Sequence, residues 1–296
     1  MRLIQRADPG RGLRLAVVVD GGTVDVADLG AAGLPATMAD LIAGEGRAVP
    51  AIRSAVEVLG AAGRDGVVRH PLPAGERPPP VARPGKVVAV GRNYAEHAAE
   101  EGVAAPADPV LFTKHSSAIV GPGAEIRWRS RDTGQVDFEA ELAVVIGRRA
   151  RDVARADALG HVLGYTCLND VSARDLQFAD GQWVRGKSLD TFCPIGPWLV
   201  TADEIPDPQA LGIRCLVNGE LLQDASTAAM IHGVADLIAY ISRFFTLEPG
   251  DVIATGTPGG VGVFREPPRF LGDGDEIVVE IDGIGRLENR CRVDPG

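Results

Sequence analysis

Aromatic residues are scarce in this 296-residue chain: three Trp, three Tyr and eight Phe, 5% of the sequence. Val, Leu, Ile and Ala must therefore fill the core. Cysteine is nearly as rare. Cys167, Cys193, Cys215 and Cys291 are widely spaced and form no CxxC pair, which excludes a disulfide framework or a thiolate zinc site and suits a reducing compartment. No Lys/Arg cluster appears, and 30 Lys+Arg against 40 Asp+Glu leave a formal net charge of -10. Phosphate neutralisation needs a basic face, so nucleic acid is not expected as a partner. No apolar run approaches the ~20 residues of a membrane helix. Met1 leads into Arg-Leu-Ile-Gln-Arg-Ala-Asp, without the apolar stretch of a signal peptide. The expectation is a cytoplasmic globular protein with no membrane partner.

Glycine and proline, by contrast, are abundant at 37 and 21 residues, favouring turns and short strands. Leu13 to Ala27 reads as two strands around an Asp-Gly-Gly turn, and the Ala-rich stretch Met38 to Gly63 has helical spacing. Pro71 to Gly85 holds six prolines in fifteen residues. Proline neither donates to a ladder nor sits inside a helix, so this stretch predicts an extended linker with a boundary near residue 80. Two domains are expected: a small N-terminal α/β domain over 1–80, with its linker at 71–85, and a larger one over 86–296. In the larger one KVVAVG, ELAVVIG, RCLVNGELL, DVIATG and DEIVVEIDGIGRL are Val/Ile-rich runs closed by turn residues. Helical spacing is confined to Tyr94–Glu101, Ala225–Phe245 and Ala154–Leu159. There is no regular βαβ alternation, so the fold class is α+β and β-rich, a sandwich or roll.

Asp137-Phe-Glu139-Ala-Glu141 runs into the apolar segment Leu142–Ile146. Alternate strand residues share a face, so Glu139 and Glu141 lie together, and Asp137 joins them if the strand reaches that far. Two readings stand open: the solvated face of an edge strand, or a hard-cation site of oxygen ligands, with Asp170 as a third acid. In Gly91–Glu100, Asn93 and Glu96 have capping-box spacing. His97 and Glu100 are i and i+3 on the resulting helix, either an ordinary surface contact or a pair able to activate water. Gly181–Ser188 satisfies the GxxxxGK[ST] pattern of a phosphate loop. Its flanks supply neither a buried strand nor a continuing helix, so nucleotide binding is not expected. GDGDE at 272–276 reads as a strand-opening turn.

In order, GRNYAEHAAE (91–100), PVLFTKHSSAI (109–119), VDFEAELAVVIG (136–147), GYTCLNDVSARDLQ (164–177), GKSLDTFCPIGPW (186–198), VNGELLQDAST (217–227), LEPGDVIATGTPGGVG (247–262) and DGDEIVVEIDGIGRLEN (273–289) resemble the fumarylacetoacetate hydrolase family. The resemblance covers residue 86 to the C-terminus, and the first eighty residues are similar to the small N-terminal domain of longer members. It implies a mixed β-sandwich roll, a homodimer, and a divalent ion, Mg2+ or Mn2+ (Ca2+ in crystals), held by Glu139, Glu141 and Asp170. It implies His97 and Glu100 as a water-activating pair and Lys187 as the active-site lysine. Arg174, Gln177 and Thr257 match substrate-holding positions, with Arg92 and Tyr94 as further candidates. His115 and Phe138 depart from the family's usual proline and tyrosine.

The implied chemistry centres on an enolate. Hydrolytic cleavage of a 2,4-dioxo acid (an acylpyruvate or fumarylpyruvate) expels a pyruvate enolate, which a Lewis acid stabilises; His97 with Glu100 gives that reaction its base. The same stage serves decarboxylation or isomerisation of oxaloacetate-like or hydroxymuconate-type oxo-acids in aromatic catabolism. A non-catalytic binder of a small anionic oxo-acid is the third reading.

Overall fold

The computed structural model describes residues 1–62 and 67–295, so the last residue of the Ala-rich stretch, Gly63, lies outside the described residues. A large sheet carries eleven strands and a second sheet five. Its centre is the strand Ala140–Ile146, paired antiparallel with Val162–Asn169 on one side and Val252–Ala254 on the other. Val87–Gly91 continues the sheet parallel to Val252–Ala254, and Val110–Lys114 forms that edge. The five-stranded sheet is built from Gly212–Val217, Glu220–Ser226, Glu276–Ile281, Gly285–Asp294 and Glu125–Arg129.

All seven residues of Ala140–Ile146 are buried, as expected of a strand covered on both faces. Ala140, Leu142, Val144 and Ile146 point into an apolar cluster shared with Ile213, Val279, Leu287 and the helix Val234–Phe244. Ala143 and Val145 point the other way, into a cluster with Leu3, Leu15, Val17, Leu41 and Ile52. Few aromatics are needed because β-branched and small side chains interdigitate between thin layers.

The N-terminal segment is joined to this sheet by its backbone. Arg2–Asp8 pairs antiparallel with Cys193–Thr201, Gly12–Val19 pairs with Arg2–Asp8, and Gly22–Asp25 follows across the expected turn. Met38–Ala43 and Val49–Ala62 are helices whose apolar faces cover the second cluster. The proline-rich stretch is extended; Arg77 N–H donates to the Pro122 carbonyl and the Pro79 carbonyl accepts from Gln5.

Two helical expectations change in the structure. The helix expected from Ala225 begins at Val234, because Glu220–Ser226 is a strand and Thr227–Ala229 a single 3-10 turn. Around Ala154–Leu159 only the 3-10 turn Ala158–His161 forms. The helices Arg174–Asp180 and Val184–Lys187 form where the sequence shows no clear helical spacing. Among the described residues no helix is long and apolar enough to cross a membrane.

Candidate active site and metal centre

The site sits where the central strand begins. In the antiparallel register Ala140 faces Asn169 and Glu141 faces Leu168. Asp170, one residue past its strand, donates its N–H to the Glu139 carbonyl at 2.9 Å. Glu139 and Glu141 project from the same face, and one oxygen from each of Glu139, Glu141 and Asp170 lies within 4.8 Å of the others. All three side chains are buried, which removes the solvated-edge reading: this is the middle of a sheet.

Asp137 does not join them. It belongs to the two-residue strand Val136–Asp137, which pairs with Ser172–Ala173 and not with the central ladder. Its carboxylate accepts from the backbone N–H groups of Phe138, Gly262 and Val263 and from Arg174 Nε at 2.9 Å. Asp137 therefore pins the glycine-rich turn to the strand and aims Arg174.

Three buried cations answer the acids. Arg174 Nη1 lies 2.8 Å from Glu139 Oε1 and donates to Gln177 Oε1 at 3.0 Å. Lys187 Nζ donates to Glu139 Oε2 at 2.8 Å and to Asp170 Oδ2 at 2.9 Å. Lys114 Nζ donates to Asp170 Oδ1 at 2.5 Å and also to the carbonyls of Val171 and Lys187. Lys114 was not singled out from sequence, although Phe112 and Lys114 share a strand face by period two. A lysine closing an apolar strand calls for a buried carboxylate partner.

Glu139 feels burial, which alone would raise its carboxyl, but Lys187 and Arg174, with His97 beyond them, hold it at about 2. Glu141 is pushed well above the ordinary carboxylate range by burial and by the charges of Asp170 and Glu139, offset in part by the Gly256 N–H it accepts at 2.9 Å. Gly256, with φ of 97°, has the left-handed backbone that lets this N–H turn inward. Negative charge is thus under-compensated on the Glu141 side. Three hard oxygen donors converging on that side fit a divalent cation such as Mg2+ or Mn2+.

His97 and Glu100 are brought together, with Nδ1 3.4 Å from Glu100 Oε2. The other ring nitrogen, Nε2, lies 3.4 Å from Glu101 Oε1. The helix is short, Ala95–Glu100, and Asn93 does not cap it; Tyr94 holds the cap position without a side-chain bond. Asn93 instead donates to the carbonyls of His232 and Thr255 and accepts from His232 N–H, lashing the start of the helix to two loops. Glu100 Oε1 accepts from Gly260 N–H at 2.7 Å, tying its end to the glycine-rich turn.

A narrow pocket is lined by Arg92, His97, Glu139, Arg174, Gln177, Lys187 and Thr257, together with Glu101, Phe112 and Trp183. The Thr257 hydroxyl oxygen accepts from Gln223 Nε2 at 2.8 Å, leaving its proton to donate. Arg174 Nη2 and the Tyr94 hydroxyl are buried without a partner. Tyr94 lies beside Glu141, whose charge adds to burial in raising its phenol. Arg92 is on the pocket wall but spends its Nε on Glu101 at 2.8 Å. His115 does not line this pocket.

The phosphate-loop lookalike has a packing cause. A Cβ on Gly186 would stand 2.7 Å from Gln177 N and 2.8 Å from the Ala173 carbonyl, so that glycine lets Val184–Lys187 lie against Arg174–Asp180 and delivers Lys187 to the acids. GDGDE forms the expected turn, with Asp275 accepting from Gly272 N–H before the strand Glu276–Ile281.

This sheet and this constellation define a known class. Residues 86–292 match the family described as Fumarylacetoacetate (FAA) hydrolase C-terminal, and the chain belongs to that family, whose members are enzymes. It is 50% identical over 212 residues to oxaloacetate tautomerase fahd2, mitochondrial, of Xenopus laevis, a match covering 71% of this chain and 66% of that protein. The chain thus spans about two thirds of that relative's length. Among solved structures it resembles the fumarylacetoacetate hydrolase of Exiguobacterium antarcticum at 40% identity and TM-score 0.79, covering 99% of this chain and 100% of that one. It also resembles 5-carboxymethyl-2-hydroxymuconate delta-isomerase of Mycobacterium smegmatis at 37% identity and TM-score 0.74, covering 100% of both.

Proposed function

We propose that the protein is a divalent-cation-dependent isomerase of short 2-oxo dicarboxylic acids, interconverting the keto and enol forms of an oxaloacetate-type substrate. This departs from the hydrolytic reading favoured by the sequence and takes up its alternative. The observation that carries it is the pocket beside the three acids, where His97 and the unpartnered Arg174 Nη2 stand with Glu139, Lys187 and Thr257: it offers an anchor for an anionic oxo-acid and one proton carrier, whereas hydrolysis would further require a held, attacking water. A proton relocated within one substrate needs no such water. The tautomerase and isomerase relatives support the same reading.

A bound cation, held by Glu139, Glu141 and Asp170, would supply Lewis acidity toward negative charge developing on the 2-oxo oxygen. The rest falls to the chain. Arg174, through its unpartnered Nη2, and the Thr257 hydroxyl bind and orient the substrate's carboxylates. Lys187 and Lys114 hold Glu139 and Asp170 in place and keep the site from accumulating uncompensated charge. His97, oriented by Glu100, carries the proton between carbon and oxygen. The narrow pocket excludes bulk water and so protects the enol from side reactions.

The test is decay of the enol absorbance of oxaloacetate with Mg2+ or Mn2+. Acceleration over the buffer reaction, lost with EDTA and in His97→Ala, is expected. No acceleration by the metal-loaded protein, together with pyruvate release from an acylpyruvate, would overturn the proposal in favour of hydrolysis.

A further inference from the structure

Arg92 has a backbone that few arginines adopt, with φ of 57°, a left-handed conformation disfavoured for any residue with a Cβ. Its side chain is held on two sides. The guanidinium carbon lies over the Trp183 ring, 5.4 Å from the centroid, and Nε donates to Glu101 Oε2. Trp183 itself is fixed: it meets Phe112 edge-on at 5.2 Å and lies so close to the main chain that a Cβ on Gly91 would come within 2.3 Å of its Cζ3. The other oxygen of Glu101 faces His97 Nε2.

We propose that Arg92 and Glu101 are positioning residues for His97, acting as the counterpart of Glu100, and that Arg92 serves the imidazole and not the substrate. His97, Glu100 and Glu101 stand at i, i+3 and i+4, with Glu101 the still-helical residue just past the end of the helix, so both carboxylates come within reach of the ring by local geometry. What fixes the ring in space is where each carboxylate is moored. Glu100 is moored to the glycine-rich turn through Gly260 N–H, and Glu101 to the strand end Gly91–Arg92 and, through Arg92, to Trp183. A ring held from two independent elements keeps one orientation; a ring held from one can swing about its Cβ–Cγ bond. The left-handed backbone at Arg92 persists because the pairing with Glu101 and Trp183 outweighs its strain.

This rests on the reading of His97 as the proton carrier, and the test separates the two. Nitrogen-15 spectra of the imidazoles, with His97 assigned by its absence in His97→Ala, are compared for wild type, Arg92→Gly, Arg92→Lys and Glu101→Gln, alongside steady-state kinetics of oxaloacetate tautomerisation. Arg92→Gly relieves the backbone while removing the mooring. It is expected to shift the Nε2 resonance, leave Nδ1 in place, and lower kcat on the order of tenfold to a hundredfold with KM unchanged. Glu101→Gln, which keeps the shape, is expected to move Nε2 as well, and Arg92→Lys to restore part of the loss. A raised KM with an undisturbed Nε2 resonance in Arg92→Gly makes Arg92 a substrate ligand and overturns the proposal, as does an unmoved Nε2 in Glu101→Gln. Full turnover in His97→Ala would sink the proton-carrier reading, while the Nε2 shift would still report the mooring.

Discussion

Glu141 is the residue whose charge the protein balances least, and its titration is the most direct readout of the centre. In metal-free protein its folded carboxyl stands well above its ordinary value of 4.5. The associated stability is therefore present in full below that value and is lost as pH rises through the folded value. With EDTA present, Tm is expected to fall as pH rises from the acid side, and Mg2+ is expected to reverse the fall. Glu141→Gln, which still accepts the Gly256 N–H, is expected to abolish cation binding by calorimetry. The same change is expected to stabilise the metal-free protein at neutral pH by roughly 1–3 kcal/mol, the scale of an unsatisfied buried polar group. Glu139 behaves oppositely: held at about 2 by Lys187 and Arg174, it contributes stability above its ordinary range that is lost as pH falls through that value. Asp137 is a structural acid. Asp137→Ala takes the Nε partner from buried Arg174 and the acceptor from three backbone N–H groups, and is expected to cost about 3–5 kcal/mol by denaturant unfolding; an undiminished unfolding free energy would show that Glu139 and Gln177 suffice to hold Arg174.

At the scale of an element, the helix Ala95–Glu100 carries His97 to the pocket wall. It is too short to be stable by itself and owes its place to Asn93 at one end and to Glu100 and Glu101 at the other. Hydrogen exchange across 93–107 is expected to slow when oxalate and Mg2+ are added, since a chelating oxo-acid would draw the helix over the acids; unchanged protection would contradict this. Asn93→Ala removes both bonds to His232 and the bond to Thr255, and is expected to speed exchange of 95–101 in the free protein with little change in the central strands. The strand Ala140–Ile146 is the fixed counterpart. Its buried faces belong to two different clusters, so the two glutamates at its start move only if the whole sheet does.

For the whole molecule, the N-terminal hairpin and helices complete a core that the family-matched region leaves half covered. Leu3, Leu15, Val17, Leu41 and Ile52 pack on Ala143, Val145, Leu163 and Leu199. We expect a chain beginning at residue 86 to expose that face and the free edge of Cys193–Thr201, and to aggregate in light scattering, whereas the full chain melts in a single transition. We also propose the homodimer implied by the family resemblance, tested by the same light scattering on the full chain.

Much of this was determined by the order of residues alone. Period two placed Glu139 and Glu141 on one face, the Asp20-Gly21-Gly22 turn specified a hairpin, and separated blocks in family order announced the family. These signals are local, or read block by block, and survive without coordinates. Only the tertiary structure decided that Asp137 leaves the ladder, that Asn93 ties loops instead of capping a helix, that Lys114 answers Asp170, and that Glu101 closes on His97 from the far side. Each of these is a choice among partners distant in sequence, settled by burial: a charged or polar group taken out of water must find whatever counterpart the packing brings within reach.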